Sequence, residues 1–298
     1  MHPLLNIAVQ ASRRAGEIIA RAVPRLDSLE ITTKSRHDYV SEVDKAAERD
    51  IIGTIRKHYP QHAILAEESG ASGEHEVRWV IDPLDGTTNF LHGFPQFCVS
   101  IAAEVRGRLE VAVVYDPMRL ELFTAARGAG AQLEGKRIRV SSRRGLDGAL
   151  LATGFPFRAG SDFEAYLSML RVLMPQTAGL RRPGSAALDL AYVAAGRVDG
   201  FFELGLQPWD TAAGALLVQE AGGHISRLDG SDYEHGGNLA AGNQKVHAAL
   251  VAAVAPFVTR SVRGTAAPTT LSASPLAAPS STPTEPADVE LAPDGEDG

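Results

Sequence analysis

Apolar residues recur at helical spacing in two segments near the start of the chain. Between Pro3 and Arg21 the apolar positions are Leu4, Ile7, Ala8, Ala11, Ala15, Ile18 and Ile19. After Ser41-Glu42-Val43-Asp44 a second set comprises Ala46, Ala47, Ile51, Ile52 and Ile55. This spacing predicts two amphipathic helices, the second of which carries Asp44 in its first turn and ends near Pro60.

Several later runs predict strands and further helices. Trp79-Val80-Ile81 predicts a strand closed by Asp82-Pro83, and residues 98–105 and 110–115 predict a hairpin around Arg106-Gly107-Arg108. Helical patterns at 185–195 and 211–221 end at glycines, and Gly200-Phe201-Phe202-Glu203 between them predicts a strand. Because strands and helices do not alternate regularly, the order favours α+β layers over a parallel βαβ array.

The end of the chain differs in composition from the rest. Residues 264–298 are rich in Pro, Ala, Ser and Thr, with six acidic residues and no Lys or Arg. Such a segment buries too little apolar surface to offset its ordering entropy, so the sequence predicts a disordered acidic tail. A solvated extension and an interaction arm both remain open for it. Of the formal net charge of −7, the tail carries six negative charges, which leaves about −1 for residues 1–263.

Charge, cysteine content and hydropathy exclude several classes of protein. The nearly neutral body gives no support for direct nucleic-acid binding. Cys98 is the sole cysteine, so the chain contains no internal disulfide. The sequence has no apolar run of about 18 residues and no basic-then-apolar start, so we expect a cytoplasmic protein that does not enter a membrane.

The segment Asp82-Pro83-Leu84-Asp85-Gly86-Thr87-Thr88 carries the strongest chemical signal. Two carboxylates three residues apart follow an apolar strand and can converge on one ion. Oxygen ligands without neighbouring Cys or His favour a hard cation such as Mg²⁺ over zinc. The backbone N–H groups and hydroxyls that follow suit a phosphate. An Asx-type turn between strands is the alternative explanation of this segment alone.

Two further acidic segments each have a simple structural explanation as an alternative to metal binding when they are considered alone. Glu67-Glu68-Ser69 follows the apolar residues 63–65, and Trp209-Asp210 stands at the start of a predicted helix. The glutamates also fit a solvated charge pair, and Asp210 also fits an ordinary helix N-cap.

Taken together, these segments resemble the inositol monophosphatase family over about residues 2–254. The matching positions are Lys34, Asp38, Asp44, Glu67-Glu68-Ser69, residues 82–88, Gly184-Ser185-Ala186-Ala187 and Trp209-Asp210 with Glu220-Ala221-Gly222-Gly223. The resemblance implies that residues 1–263 form one catalytic domain, a layered αβαβα sandwich of the sugar-phosphatase type. It also implies a dimeric, magnesium-dependent phosphatase acting on a small polyol phosphate, with inositol 1-phosphate as the leading substrate, and inhibition by lithium.

The resemblance also assigns roles to individual residues. It implies two to three Mg²⁺ ions, one held by Glu67, Asp82 and the carbonyl of Leu84, a second by Asp82, Asp85 and Asp210, and a third sharing Glu67. Thr87, paired with Asp44, and Glu67 would orient or deprotonate the attacking water. The implied substrate contacts are Asp85, Gly86, Thr87, Arg181, Ser185, Ala186, Glu203 and Asp210, and Lys34 would belong to a mobile flap.

Some of these assignments leave alternatives open. Arg181 also fits a surface or dimer-interface cation, Lys34 a surface lysine, and His92 a solvent-exposed loop residue without a catalytic role. Members of the wider superfamily hydrolyse other phosphate esters with similar metal sites, so 2′-AMP and glycerol 2-phosphate are expected side substrates. Bacterial relatives also bind transcription elongation and antitermination factors during ribosomal RNA synthesis, a surface property that the metal segments neither support nor oppose.

Overall fold

The computed structural model describes residues 2–29, 31–35, 38–156, 162–259 and 262, with the side chains of 33–35, 38 and 39 outside the description. The elements of the first half are α1 (Pro3–Ala22), β1 (Ile31–Ser35), β2 (Asp38–Ser41), α2 (Glu42–His58), β3 (Ala63–Ala66), β4 (Gly70–Ser72), β5 (Val77–Asp85), α3 (Thr87–Leu91), β6 (Cys98–Val105), β7 (Arg108–Asp116), β8 (Glu121–Ala126), β9 (Gly130–Leu133) and β10 (Lys136–Arg137).

The second half supplies a smaller set of elements. They are β11 (Leu150–Thr153), α4 (Phe163–Leu173), β12 (Gly179–Arg181), α5 (Ala186–Ala194), β13 (Gly200–Leu206), α6 (Pro208–Glu220), β14 (His224–Arg227), β15 (Gly237–Gly242) and α7 (Gln244–Val254). Both N-terminal helices, the hairpin β6–β7, the strand β13 and the helices α5 and α6 confirm the sequence predictions to within a few residues.

The first two helices owe their starts to local capping. Pro3 occupies the first turn of α1, where its missing N–H costs no helical hydrogen bond. Ser41 and Asp44 form a reciprocal capping box at α2, which satisfies two of the N–H groups that lack partners at the helix start. The sequence therefore fixes Asp44 in the first turn of α2, as predicted.

The larger sheet has eight strands in the order β10-β9-β8-β7-β6-β5-β3-β4. Only β3 and β5 run parallel in it, and the other neighbours are antiparallel. Alternate residues of β5 enter different cores: Trp79 and Ile81 pack with α1 and α2, whereas Val80 packs with α5 and α6. Both faces of this sheet are therefore covered by helices.

The smaller sheet completes a five-layer arrangement. Its strands lie in the order β12-β11-β13-β15-β14. Phe201 of β13 joins the core that contains α5 and α6, and Phe202 joins the core that contains α4 and α7. The layers are thus α1/α2, the eight-stranded sheet, α5/α6, the five-stranded sheet and α4/α7, which confirms the αβαβα sandwich.

The structure also corrects and limits some expectations. Strand β5 does not stop at Asp82-Pro83 but continues to Asp85 through an irregularity described below. The predicted tail, residues 264–298, lies outside the described residues, so its disorder stays a prediction. In the part of the chain that the structure describes, no helix is both long and apolar enough to cross a membrane.

Candidate active site

The predicted acidic segments meet where β3 and β5 end and α5 and α6 begin. Glu67 directly follows β3, while Asp82, Leu84 and Asp85 are among the last four residues of β5. Because β3 and β5 are parallel, their carboxyl ends share one edge of the sheet. Asp210 is the third residue of α6, so the N-cap is Gln207 and not Asp210.

A β-bulge in β5 sets the relative positions of Asp82 and Asp85. Asp82 lies opposite Ser100 and Asp85 opposite Cys98, so three steps along β5 match two along β6. Pro83 cannot donate a ladder hydrogen bond, which makes it compatible with such a bulge. The Leu84 N–H donates to Asp82 Oδ1 at 3.0 Å inside the bulge. The Asx-type turn considered from the sequence is therefore present, as part of the site and not as an alternative to it.

Gly86 closes the bulge in a conformation that suits glycine. Its φ is +96°, and a Cβ at this position would lie 2.9 Å from the Gln96 carbonyl oxygen and 3.3 Å from that of Gly184. Any side chain would therefore push the turn away from α5. The short helix α3 starts at the next residue, Thr87, so the backbone N–H groups of this turn lie at a helix start.

Asp85 ties the two halves of the domain together. Its Oδ2 accepts hydrogen bonds from Ser185 Oγ and from the Ala187 N–H, both at 2.7 Å. The Cys98 sulfur lies 3.9 Å from the same oxygen. Burial, followed by the charge of Asp210, raises the pKa of Asp85 to about 7 despite the hydrogen bonds.

Asp82 is a second carboxylate of the site with a raised pKa. Burial raises its pKa well above the ordinary 3.8, and the charges of Glu67, Asp85 and Asp210 raise it further. Asp210 is itself buried, and its Oδ2 accepts from the Gln207 N–H at 2.7 Å. The charges of Glu67, Asp85 and Asp210 therefore all act on Asp82, which places the four acids in one cluster.

This arrangement fits divalent cations bound in part by water. Within the described residues, no group of three or more His, Cys, Asp or Glu side chains is arranged so that it could hold a metal ion by itself. Mg²⁺ seldom uses an all-protein cage and keeps several waters, adding one or two carboxylates and the substrate phosphate. Burial first, and then neighbouring negative charges, raise the pKa values of Asp82 and Asp85, and a bound cation would favour the charged form of both.

The half-buried Thr87 pairs with the buried Asp44 beside the carboxylates. Thr87 Oγ1 lies 2.8 Å from Asp44 Oδ1 and 3.0 Å from the Leu84 carbonyl oxygen, and its one proton can be donated to either acceptor. Asp44 is fully buried, and its Oδ2 accepts from the Ser41 N–H at 2.9 Å. Burial raises the pKa of Asp44, and the bonds from Ser41 and Thr87 oppose that rise.

The two glutamates after β3 are half-buried and fixed, unlike a freely solvated pair. The Glu67 N–H donates to the Ile81 carbonyl at 3.1 Å, which extends the pairing with β5 by one residue. The Glu68 N–H donates to Glu48 Oε2 at 2.8 Å, and Glu48 is itself buried. The segment is thereby held against α2 next to Asp82.

Glu203 lies a short distance away, on β13. A Cβ added to Gly154 would lie 2.0 Å from Glu203 Oε1, so this glycine leaves the space that the carboxylate occupies. Asp189, buried in α5, has its pKa raised by burial and then by the charges of Glu203 and Asp85, and Arg182 opposes the rise. These acids therefore line a region that adjoins Asp85.

Sequence reasoning missed two residues that shape this region. Asn89 donates through Nδ2 to the carbonyls of Gln96 at 2.7 Å and Pro183 at 2.8 Å, which joins α3 to the approach to α5. Gly154 was also missed. Their signals in the sequence, an asparagine after Thr88 and a glycine after a short apolar run, are too common to single out.

Three other predicted positions keep less definite roles. Arg181 is exposed on the edge strand β12, and its Nη1 donates to the Leu180 carbonyl at 3.1 Å. Arg182, its neighbour, lies over the Phe155 ring at 4.9 Å. Lys34 is on β1 with its side chain outside the described residues, so its flap role stays a prediction. His92 is exposed on the loop after α3, the position that the simpler interpretation gave it.

Comparison with known proteins defines the class. The model of the inositol monophosphatase family matches residues 1–259. This chain belongs to the inositol monophosphatase family.

Its relatives include proteins of two descriptions. Nus factor SuhB of Escherichia coli (strain K12) is 58% identical over 255 residues, which is 85% of this chain and 96% of that protein. The extragenic suppressor protein suhB of Bartonella henselae has a solved structure with a TM-score of 0.82 and 45% identity, covering 85% of this chain and 98% of that one. The inositol monophosphatase of Anabaena (Nostoc) sp. gives a TM-score of 0.75 and 40% identity, with coverage of 85% and 95%.

Proposed function

We propose that this chain hydrolyses inositol 1-phosphate and related small phosphomonoesters to the free alcohol and phosphate, with Mg²⁺ as cofactor. The observation that carries the proposal is the meeting of Glu67, Asp82, Asp85 and Asp210. The charges of the other three raise the pKa of Asp82, and the charge of Asp210 raises that of Asp85. Family membership and the inositol monophosphatase from Anabaena support the substrate class.

Two to three Mg²⁺ ions would use these residues. Glu67, Asp82 and the Leu84 carbonyl would hold one ion, and Asp82, Asp85 and Asp210 would hold the second. The third would share Glu67. When bound, such ions lower the pKa of a water, neutralise the phosphate oxygens and stabilise the leaving alkoxide.

The protein's own groups would orient the attacking water. Because the Thr87 hydroxyl donates its one proton toward Asp44 or Leu84, its lone pairs can accept a hydrogen bond from a water. Thr87 thus serves as an acceptor and not as a nucleophile. Glu67, half-buried on the other side of the Asp82 segment, would take the proton as water attacks phosphorus.

The remaining predicted contacts would position the substrate. The N–H groups of Gly86 and Thr87 would bind phosphate oxygens, because unpaired N–H groups at the start of a helix commonly bind anions. The hydroxyls of the polyol would contact Asp85, Ser185, the Ala186 backbone, Glu203 and Asp210. Arg181 would add a contact from the edge strand when substrate is bound.

The proposal is tested by phosphate release from inositol 1-phosphate with Mg²⁺ and with EDTA. We expect turnover only with Mg²⁺, and faster turnover of inositol 1-phosphate than of glycerol 2-phosphate or 2′-AMP. Absence of turnover on all three esters, by protein that binds Mg²⁺ in calorimetry, would contradict the proposed activity.

Replacement of Glu203 by alanine tests the polyol contact. We expect KM for inositol 1-phosphate to rise by roughly 10- to 100-fold, because hydrogen bonds to a charged group contribute roughly 1.5–3 kcal/mol. KM for glycerol 2-phosphate, which has fewer hydroxyls to bind, should change less. Steady-state kinetics on both substrates checks this, and equal losses would refute the assigned contact.

A second function, as a transcription antitermination and ribosome-biogenesis factor, is favoured by the 58% identity to Nus factor SuhB. The chain would act as a cytoplasmic homodimer that binds transcription elongation and antitermination factors through its surface. Sedimentation velocity tests the dimer. Pull-down of purified elongation factors with wild type and Asp85→Asn tests whether binding is independent of catalysis, because a scaffold should bind equally well in both forms.

A further inference from the structure

A strongly basic surface follows one edge of the eight-stranded sheet. We call it the basic edge, and it consists of Lys136, Arg137, Arg139, Arg143 and Arg144. All five side chains are exposed. The sequence from Gly135 to Leu146 contains no acidic residue. The basic edge begins on β10, the outermost strand, and continues into the loop that leads to β11.

The basic edge is poorly neutralised by the folded domain. Arg143 lies 3.9 Å from Asp199, at the limit of an ion pair. Among the residues that the structure describes, no ion pair involves Lys136, Arg137, Arg139 or Arg144. Most of the positive charge therefore faces solvent.

The loop that carries these charges is anchored to the smaller sheet. Asn243, which follows β15, donates through Nδ2 to the carbonyls of Ser141 and Arg143, each at 2.9 Å. Gly196 packs so closely that an added Cβ would lie 3.1 Å from the Arg139 carbonyl oxygen. The arginines are thus displayed on a fixed backbone, which lowers the entropy cost of binding a multivalent anion.

We infer that the acidic end of this same chain docks on the basic edge. The six acidic residues of the tail are Glu285, Asp288, Glu290, Asp294, Glu296 and Asp297, with no cation among them. The basic edge and the tail are therefore complementary in sign and similar in charge number. The tail is the occupant because it is tethered, so its local concentration does not depend on an outside supply.

The length of β15 indicates how far the tail must extend to reach the basic edge. At one end of β15, Asn238 Nδ2 bonds the carbonyl of Val262, where the described chain ends. Just beyond the other end, Asn243 holds the basic edge. The strand between them spans roughly 17 Å, at about 3.4 Å per residue. The sequence from 263 to 284 predicts a flexible linker, and a chain of about 22 such residues spans roughly 26 Å. The acids therefore reach the basic edge without strain.

The contact is electrostatic and multivalent. Each exposed pair is weak and screened by salt, so no single charge decides the result. Docking should therefore dominate at low ionic strength and be lost near 0.5 M salt, where the Debye length falls to roughly 4 Å. A hydrophobic contact would persist or strengthen under those conditions.

The test measures the distance between two nitroxide labels in the full chain. One label is placed at Ala287→Cys, between two acids of the tail, and the other at Ser142→Cys, an exposed neutral residue within the basic edge. Cys98 is fully buried and stays unlabelled. Pulsed electron paramagnetic resonance is recorded at low salt and in about 0.5 M NaCl, after dilution with excess unlabelled protein to suppress distances between chains.

We expect a short, narrow distance component at low salt that becomes a broad, long distribution at high salt. Changing Arg137, Arg139 and Arg144 to Glu should abolish the short component, as should changing all six tail acids to Asn or Gln. The matched control changes Arg49, Arg56 and Lys57 to Glu. These exposed cations lie on α2, which contacts β4 at the opposite edge of the same sheet through Arg56 and Ser72.

Three results would overturn the inference. They are a broad distribution at low salt, a short component that survives in the Arg137/Arg139/Arg144 variant, and a short component that the Arg49/Arg56/Lys57 control also removes. A second measurement uses heparin as a polyanion probe. The six-acid variant should elute from a heparin column at higher salt than wild type, whereas equal elution would show that the tail leaves the basic edge open to outside polyanions.

Discussion

Asp85→Asn is expected to lower kcat/KM for inositol 1-phosphate by roughly 10³-fold or more, because it removes the charge of a proposed metal ligand. The amide also places an N–H₂ group where Asp85 now accepts hydrogen bonds from Ser185 and Ala187. Steady-state phosphate release and direct Mg²⁺ titration by calorimetry measure the two effects.

The same substitution should stabilise the metal-free protein. The raised pKa of Asp85 shows that its charged form is disfavoured in the folded state, so a neutral side chain relieves repulsion from Asp210. Urea unfolding in EDTA at pH 8 should show a higher free energy of unfolding than wild type. Asp27→Asn, at an exposed position, is the matched control and should change neither quantity. Retained activity in Asp85→Asn would contradict the metal assignment.

The contribution of Asp85 to the stability of the metal-free protein should fall by about 3 kcal/mol between pH 5 and pH 8, and Mg²⁺ should restore most of it. Burial lowers the pKa of His247 to about 4, so this histidine acts in the opposite direction, and the contribution of Asp85 is read as the difference between wild type and Asp85→Asn. Asp85 has a folded pKa of about 7 against an ordinary 3.8, and Asp82 is also raised. Between these values the folded state binds more protons than the unfolded state. This contribution to stability is therefore greatest at low pH within the window and is lost as the pH rises through about 7.

Urea titrations at several pH values, with EDTA and with excess Mg²⁺, test this dependence. The Asp85→Asn variant should show a shallower fall with pH, since one of the raised groups no longer titrates. Mg²⁺ stabilises by binding the folded carboxylates, so its effect should be larger at pH 8 than at pH 5. A wild-type protein whose stability depends on pH in the same way as that of Asp85→Asn would contradict the proposed charge cluster.

The sequence predicted the parts of the site that depend on local order. The acids of β5, the turn at Gly86 and the place of Asp44 in α2 follow from spacing, a proline, a glycine and a capping box. The family resemblance supplied the layered fold, because no spacing rule brings α5 between two sheets. Family membership and the layers are confirmed, whereas the roles of individual residues stay predictions.

What the sequence did not predict depends on contacts between distant segments. Strands β8, β9 and β11 and helices α4 and α7 were not identified, since short apolar runs fit a strand or a buried helix equally well. Arg181 and Arg182 are the same residue type, so the sequence could not distinguish them. Only their surroundings in the fold differ. Gly154 is informative only once Glu203 lies against it.

The hydrogen bond from Ser185 to Asp85 joins residues one hundred positions apart, and this separation has a consequence for how the protein matures. A nascent chain that has passed the first sheet already carries three of the four proposed acidic metal ligands, yet it lacks α5 and α6. Closing so long a loop is a late and entropically costly event in folding. Catalytic competence should therefore appear only with the final assembly of the middle layer, so activity reports complete folding and not the presence of the first half.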